Sequence, residues 1–125
     1  MESNTKNINE LTRLASSSCV RGQFVTSDDV RIDGRCEGIV CSTGRVVVGE
    51  GACIKGDIIC NCLELQGTVE GNIYVKESLN LKSPSSVKGD LRFKKFTVEI
   101  GADFVGNCDR IDDAEFEEMI KKYCE

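Results

Sequence analysis

The sequence predicts an all-β, single-domain protein built as a β-solenoid of triangular section with about six coils. A five-residue unit (apolar, any residue, Gly, any residue, apolar) recurs six times, and successive Gly residues are separated by 15 to 18 positions. Between the copies, apolar and polar residues alternate with period two, which is typical of short strands. A repeat held at nearly fixed spacing indicates stacked copies of one unit. An antiparallel sandwich needs regular hairpins and does not explain this period.

Stacking the units places apolar residues in three inward ladders. The first ladder contains Val20, Cys36, Ile54, Val69, Val87 and Phe104. The second contains Phe24, Val40, Ile58, Ile73, Leu91 and Cys108. The third is made of pairs, Val30/Ile32, Val46/Val48, Leu63/Leu65, Leu79/Leu81 and Val98/Ile100. We expect Gly near the corners, and a spacing of about 4.8 Å between coils gives a rod about 30 Å long.

The chain divides into three segments. Residues 1–18 are polar and predicted to be a disordered N-terminal tail, and residues 19–110 form the solenoid. Residues 111–125 are predicted to be an acidic C-terminal helix or tail, with Asp112 or Asp113 as its N-cap. Its apolar residues share one helical face: Phe116, Met119, Ile120 and Tyr123. We expect this helix to cap the last coil, and the alternative is a partner-binding helix.

Charge and composition exclude several classes of function. The net charge is −5, and residues 20–110 hold 12 Lys/Arg against 13 Asp/Glu. No basic face stands out, so nucleic acid is not an expected partner. No apolar run reaches the length of a membrane span and no secretion signal is visible, so a cytoplasmic location is expected.

Catalytic and metal chemistry are not indicated. The sequence has no His, the commonest general base and metal ligand. Gly51 and Gly56 have the spacing of a phosphate-binding loop, but Asp57 follows where such a loop has Lys. The eight Cys residues contain no Cys-x-x-Cys pair, and Cys60 and Cys62 form the one close pair. We therefore predict no enzyme activity, no catalytic residues, no cofactor, no nucleotide and no metal, with the cysteines as reduced thiols.

The ends of a solenoid favour self-association. A terminal coil has unpaired backbone N–H and C=O groups on its outer edge and an uncovered apolar interior. The Phe residues of the repeat lie in the first coil and in the last two coils, whereas the middle coils contain Val, Ile and Leu. The predicted polymer interface is Phe24, Phe93, Phe96 and Phe104.

Four segments of the repeat resemble the bactofilins, which are polymer-forming bacterial cytoskeletal proteins. These segments are 30–38 (VRIDGRCEG), 46–52 (VVVGEGA), 54–58 (IKGDI) and 69–73 (VEGNI), and the resemblance covers about residues 18–110. It implies a right-handed parallel β-helix with flexible tails that polymerises end to end into non-polar filaments without nucleotide. It also implies a scaffold at the inner face of the cytoplasmic membrane that supports cell shape and positions cell-wall enzymes. Residues 1–6 lack an apolar targeting segment, so we expect membrane association through partners such as cell-wall synthesis or morphogenesis proteins.

Two other classes of protein share a stacked-coil architecture. Left-handed hexapeptide-repeat acyltransferases use tandem six-residue units and a catalytic His, whereas this chain breaks that register and has no His. A non-polymerising β-helical protein-binding module would remain a small oligomer. Light scattering distinguishes that module from a filament.

Overall fold

The computed structural model describes the backbone of residues 11–14, 19–27 and 29–124, and the side chains of 21–27 and 29–122. The described chain forms eleven strands followed by one helix. The strands are β1 Leu11–Leu14, β2 Cys19–Thr26, β3 Asp29–Ile32, β4 Arg35–Ser42, β5 Arg45–Val48, β6 Cys53–Leu65, β7 Thr68–Glu70, β8 Ile73–Leu81, β9 Ser85–Phe93, β10 Lys95–Val98 and β11 Ala102–Arg110. The helix is α1, Asp113–Cys124.

The strands pair in parallel along the whole stack, which confirms the predicted all-β solenoid. The strands that carry the Gly repeat stack in the order β2, β4, β6, then β7 and β8 side by side, then β9 and β11. The solenoid has about five turns, whereas the sequence predicted about six. The second set of strands follows the order β1, β3, β5, β6, β8 and β10. Each residue of a strand therefore lies directly above its counterpart in the preceding coil.

The register of the strands matches the first two ladders. Cys36 pairs with Ile54 and Val40 pairs with Ile58 between β4 and β6. The described ladder side chains of the middle coils are buried as well, namely Val69, Ile73, Val87 and Leu91, whereas Phe24 and Phe104 are half-buried and Cys108 is exposed at the ends of the ladders. Val20 is in register with Cys36, but its side chain lies outside the described part. The described interior is thus a column of mostly aliphatic side chains, whose burial is the main favourable term in folding.

The Gly residues mark a corner at which no side chain fits. Gly56 has φ +140° and Gly38 has φ +130°, in the left-handed region that other residues rarely adopt. A Cβ atom on Gly56 would collide with the carbonyl oxygen of Gly38 in the coil below. The repeat of Gly therefore follows from backbone stacking directly on backbone.

The predicted third ladder is wrong in its last unit. Phe96 and Val98 pair with Leu79 and Leu81, whereas Ile100 is 99% exposed. The N–H of Ala102 donates to the carbonyl oxygen of Glu99 at 3.2 Å, in the same way that the N–H of Ala52 donates to the carbonyl oxygen of Gly49 at 3.1 Å. Ile100 therefore lies in a wide turn instead of the strand.

Part of the predicted disordered tail is a strand. β1 pairs in parallel with β3, with Leu14 opposite Ile32, so the prediction for 1–18 is wrong at Leu11–Leu14. The outer edge of β3 offers unpaired backbone groups, and pairing with β1 satisfies them. Residues 1–10 and 15–18 lie outside the described residues, so the prediction of disorder there remains a prediction.

Candidate assembly interface

The C-terminal end of the solenoid is an open edge within the described chain. β11 pairs with β9 on one side and β10 pairs with β8 on one side, and no described strand lies beyond either. β11 is nine residues long, and its burial pattern is half-buried to exposed throughout. An edge of this length can accept another strand, because its outward N–H and C=O groups have no strand partner within the described chain.

Aromatic rings lie at this end. Phe104 continues the first ladder above Val87 and is half-buried, since nothing in the described chain covers its outer side. Phe96 is also half-buried and stacks on Phe93, with ring centroids 4.6 Å apart and an interplanar angle of 26°. Phe93 itself is 8% exposed and belongs to the core. The end therefore presents Phe104 and Phe96, whereas Phe93 supports Phe96 from below.

Further apolar side chains surround the open end. Val98 is 49% exposed on β10 and Val105 is 65% exposed on β11, and Ile100, in the turn between these two strands, is 99% exposed. Cys108 is exposed above Leu91, where it ends the second ladder. Isolated exposed apolar residues are common, but a cluster of them around an unpaired strand edge marks a contact surface.

The first coil carries the remaining predicted interface residue. Phe24 lies on β2 opposite Val40 and is half-buried. β2 pairs with β4 on one side, and no described strand pairs with its other edge. The structure therefore separates the four predicted residues: Phe93, Phe96 and Phe104 lie at one end and Phe24 lies at the other.

The helix does not cap the last coil, so that prediction is wrong. α1 lies against the side of the solenoid, on an outward-facing strip that we call the flank: Ile39 and Cys41 on β4, Ile59 on β6 and Tyr74 on β8. Phe116 is 4% exposed and Ile111 is 3% exposed, and both pack on this flank. The flank residues are apolar at positions where strand alternation predicts contact with water, which is the sequence signal that would have located the helix.

Polar contacts hold the first half of α1. Asp112 is the N-cap, because the N–H of Glu115 donates to its Oδ1 at 2.8 Å, while Glu115 Oε1 accepts from the N–H of Asp112 at 3.4 Å. Arg92 Nη2 donates to Glu115 Oε2 at 2.8 Å, and Lys94 Nζ donates to Asp113 Oδ1 at 2.6 Å. The hydrogen bond from Lys94 lowers the pKa of Asp113 below its usual value. These contacts tie the start of α1 to β9 and to the residue that follows it.

The cysteines differ in part from the prediction of reduced thiols. Cys36, Cys53, Cys60, Cys62 and Cys108 are thiols, but Cys41 is disulfide-bonded. Burial raises the pKa of the Cys60 thiol well above its usual value, so this thiol stays protonated and unreactive. Within the described residues, no group of three or more Cys, Asp or Glu side chains has the arrangement of a metal site.

Within the described chain, the unpaired edges of the terminal strands and the apolar interior indicate a protein of stacked coils. Over residues 12–109 the chain matches the family model described as "Bactofilin: Polymer-forming cytoskeletal". The chain therefore belongs to the bactofilin family, which confirms the resemblance seen in the repeat motifs. Bactofilins are structural cytoskeletal proteins and not enzymes.

Known relatives and a solved structure agree with this assignment. Bactofilin BacO of Myxococcus xanthus (strain DK1622) is 29% identical over 98 residues, which is 78% of this chain and 78% of that protein. Bactofilin BacP of the same organism is 26% identical over 98 residues, which is 78% of this chain and 41% of BacP. A cryo-EM reconstruction of Thermus thermophilus bactofilin double helical filaments matches with a TM-score of 0.69 and 25% identity, covering 80% of this chain and 99% of that chain.

Proposed function

We propose that this protein self-assembles end to end, without nucleotide, into non-polar filaments that serve as a cytoskeletal scaffold. The observation that carries the proposal is the uncovered last coil, in which Phe96 and Phe104 sit beside the free edges of β10 and β11. Because α1 packs on the flank, it leaves these rings without cover from within the described chain. A second copy provides the missing cover.

Contact between like ends explains how such a filament would lack polarity. A two-fold axis across the junction places β11 of one copy against β11 of the next, running antiparallel. Antiparallel pairing satisfies the edge N–H and C=O groups and brings the two Phe104 rings together. Full burial of an aromatic side chain removes about 150–250 Å² from water, and the junction covers the part of Phe104 that is still exposed in the single copy. The N-terminal ends, with β1, β2 and Phe24, form the second type of junction.

The proposed cellular role is to support cell shape and to position cell-wall machinery. The proposal places the filament in the cytoplasm and assigns its contact with the inner face of the membrane to partner proteins. Within the described chain, the helical residues are too few and too polar to form a membrane span. The family assignment and the filament formed by the Thermus relative support this role.

The test is assembly of the full chain and of a charged end variant. Purified protein stripped of nucleotide should pellet on ultracentrifugation and show filaments by electron microscopy. Phe104→Arg puts a charge into the C-terminal junction, and it should yield folded dimers joined through their N-terminal ends. Glu77→Arg is the matched control, because it adds a positive charge at an exposed position of β8, a strand that has other strands on both sides.

Three outcomes contradict the proposal. Wild-type protein that stays a small oligomer across physiological salt and pH would indicate the non-polymerising binding module. Filaments of normal length from folded Phe104→Arg protein would exclude the C-terminal junction. Folded monomers of this variant would indicate head-to-tail contacts, hence a polar filament. If Phe104→Arg fails to fold, Cys108→Arg provides the same test at the exposed end of the second ladder.

A further inference from the structure

A column of exposed side chains runs along the outside of the solenoid, at the position just before the Gly corner. The parallel pairs of β2, β4, β6, β7, β9 and β11 keep this position in register from coil to coil. We call the column the charge ladder, and its six rungs in order are Arg21, Glu37, Lys55, Glu70, Lys88 and Val105. The sign of the charge alternates over the first five rungs, and the sixth rung is apolar and 65% exposed.

Three of these charges have no partner within the described chain. Arg21 Nε lies 3.5 Å from Glu37 Oε1, so the first two rungs form an ion pair. In the part of the chain that the structure describes, the side chains of Lys55, Glu70 and Lys88 form no ion pair. All five charged side chains are exposed. The charge ladder therefore offers charges of both signs to an external partner.

The side chains beside the charge ladder are small. Two positions before the rungs of the middle coils, the same face carries Cys53, Thr68 and Ser86, all of them half-buried. α1 packs on the flank, which lies on the other side of the Gly corner. Small neighbours let a second surface approach the charged side chains closely, so this face is suited to contact with another sheet face.

The alternation of sign matches a second copy in one orientation at full overlap. If two copies meet face to face and parallel, each rung meets its own counterpart, and every charged contact is between like charges. If they meet antiparallel, about a two-fold axis between the third and fourth rungs, Lys55 meets Glu70 of the second copy. Glu37 meets Lys88 in the same way, and symmetry makes each pair occur twice. Full antiparallel overlap thus gives four pairs of opposite charge.

We propose that a second copy of this chain docks on the charge ladder, face to face and antiparallel, through these four ion pairs. Charge complementarity selects this partner, because at full overlap the ladder is its own complement only when the two copies are antiparallel. The contact is lateral, so it uses neither the open ends of the solenoid nor the flank beneath α1.

One such contact is small. Coils about 4.8 Å apart and strand residues about 3.3 Å apart give a face of about 30 Å by 13 Å, or about 400 Å² per copy. A stable interface buries about 800 Å² per partner. The contact therefore needs repetition along a filament, where each further copy adds ion pairs, and to this extent it rests on the proposed function. Salt screens exposed charges, so the contact should weaken as the ionic strength rises.

The first test maps the contact by zero-length cross-linking. A carbodiimide couples a carboxylate to an adjacent lysine amine as an amide and is itself converted to a urea. In the antiparallel contact it should link Glu37 to Lys88. Within one copy these two rungs are three coils, or about 14 Å, apart, which is too far for such a link. Mixing copies labelled with nitrogen-15 and unlabelled copies verifies that the link joins two copies. Links between adjacent rungs alone would overturn the inference.

The second test reverses the sign of selected rungs. Wild-type filaments should be paired side by side at about 0.02 M salt and single at about 0.5 M salt. Glu37→Lys with Glu70→Lys makes the charge ladder uniformly positive, and Lys55→Glu with Lys88→Glu makes its second to fifth rungs negative. Each double variant should form filaments that stay single at low salt, because like charges then meet. Mixing the two kinds of filament should restore pairing, which electron microscopy measures.

Glu50→Lys with Glu77→Lys is the matched control, because it changes the net charge equally at exposed positions outside the charge ladder, and it should pair like the wild type. If a reversed variant fails to fold, Glu37→Gln with Glu70→Gln leaves only positive rungs and should also stay single. Paired filaments from either reversed variant alone, or single wild-type filaments at low salt, would overturn the docking. A small wild-type oligomer that still shows the link from Glu37 to Lys88 would contradict the proposed filament and support the lateral contact.

Discussion

Single residues show how strongly stacking constrains this chain. Gly56 stands where a Cβ atom would meet the carbonyl oxygen of the previous coil, and its φ of +140° is strained for any other residue. Ile58, two positions later, is completely buried in the second ladder. Position 56 requires Gly because no side chain fits there, and position 58 requires an apolar side chain of the right volume to fill the interior. Together these two requirements define the repeating unit.

Truncation of a ladder residue should be costly. Ile58→Ala or Ile73→Ala leaves a void in the interior, and we expect a loss of about 2–5 kcal/mol in the free energy of unfolding. Ile100→Ala is the control, because its side chain is 99% exposed, and it should change stability by less than about 0.5 kcal/mol. Urea denaturation followed by circular dichroism measures both. A wild-type midpoint for Ile58→Ala would contradict the register described above.

The same residues show what the sequence could predict. Ladder positions follow from Gly spacing and alternation, because a parallel stack repeats one unit in register. The last unit failed because Phe96, Val98 and Ile100 alternate over three positions, and alternation alone does not say which two belong to the strand. The hydrogen bond from the N–H of Ala102 to the carbonyl oxygen of Glu99 places Ile100 in a turn, so Phe96 and Val98 are the two strand residues. This bond depends on the path of the backbone, which alternation does not predict.

At the scale of elements, α1 is the part whose position the sequence did not predict. Helical spacing shows that one face of α1 is apolar, but it does not identify the surface which that face covers. The apolar face of α1 covers the flank, and the apolar residues of the flank lie on three different strands, so no single segment of the sequence reveals it. The ion pairs of Arg92 and Lys94 with Glu115 and Asp113 then fix where the helix begins.

Deletion of residues 112–125 tests the position of the helix. Removing it exposes Ile59 and Cys41, so we expect a lower thermal midpoint and stronger binding of an apolar dye. End-to-end assembly should persist, because the open coil is untouched. Phe116→Asp should reproduce the effect in a chain of full length, whereas Glu118→Gln, at an exposed position, should not. Enhanced assembly after deletion, with unchanged stability, would instead fit a helix that caps the end.

Low pH should loosen the start of α1 selectively. The pKa of Asp113 is lowered by Lys94, so the folded state favours the charged carboxylate. Its contribution is fully present above the usual pKa of Asp and is lost as the pH falls through the lowered value. The apolar contacts of Phe116 do not titrate, so the helix keeps its central attachment in acid.

At the scale of the whole molecule, two different ends are joined by a continuous core. The C-terminal end presents Phe96 and Phe104 beside β10 and β11, and the N-terminal end presents Phe24 beside β1 and β2. If like ends meet, a filament alternates between two junctions, and each can be blocked without affecting the other. If unlike ends meet, every junction contains both surfaces, and blocking either one blocks all of them.

Paired end variants distinguish these two assemblies. For like-end contacts, Phe24→Arg and Phe104→Arg should each stop assembly at dimers, because each variant loses one kind of junction and keeps the other, and the double variant should be a monomer. For unlike-end contacts, each single variant is already a monomer, and an equimolar mixture of the two forms dimers through the intact ends. Sedimentation velocity with masses from light scattering measures all four samples, and circular dichroism verifies the fold. Dimers of both single variants together with a folded monomeric double variant are the result that we expect, because each end carries its own aromatic residue and its own free strand edge.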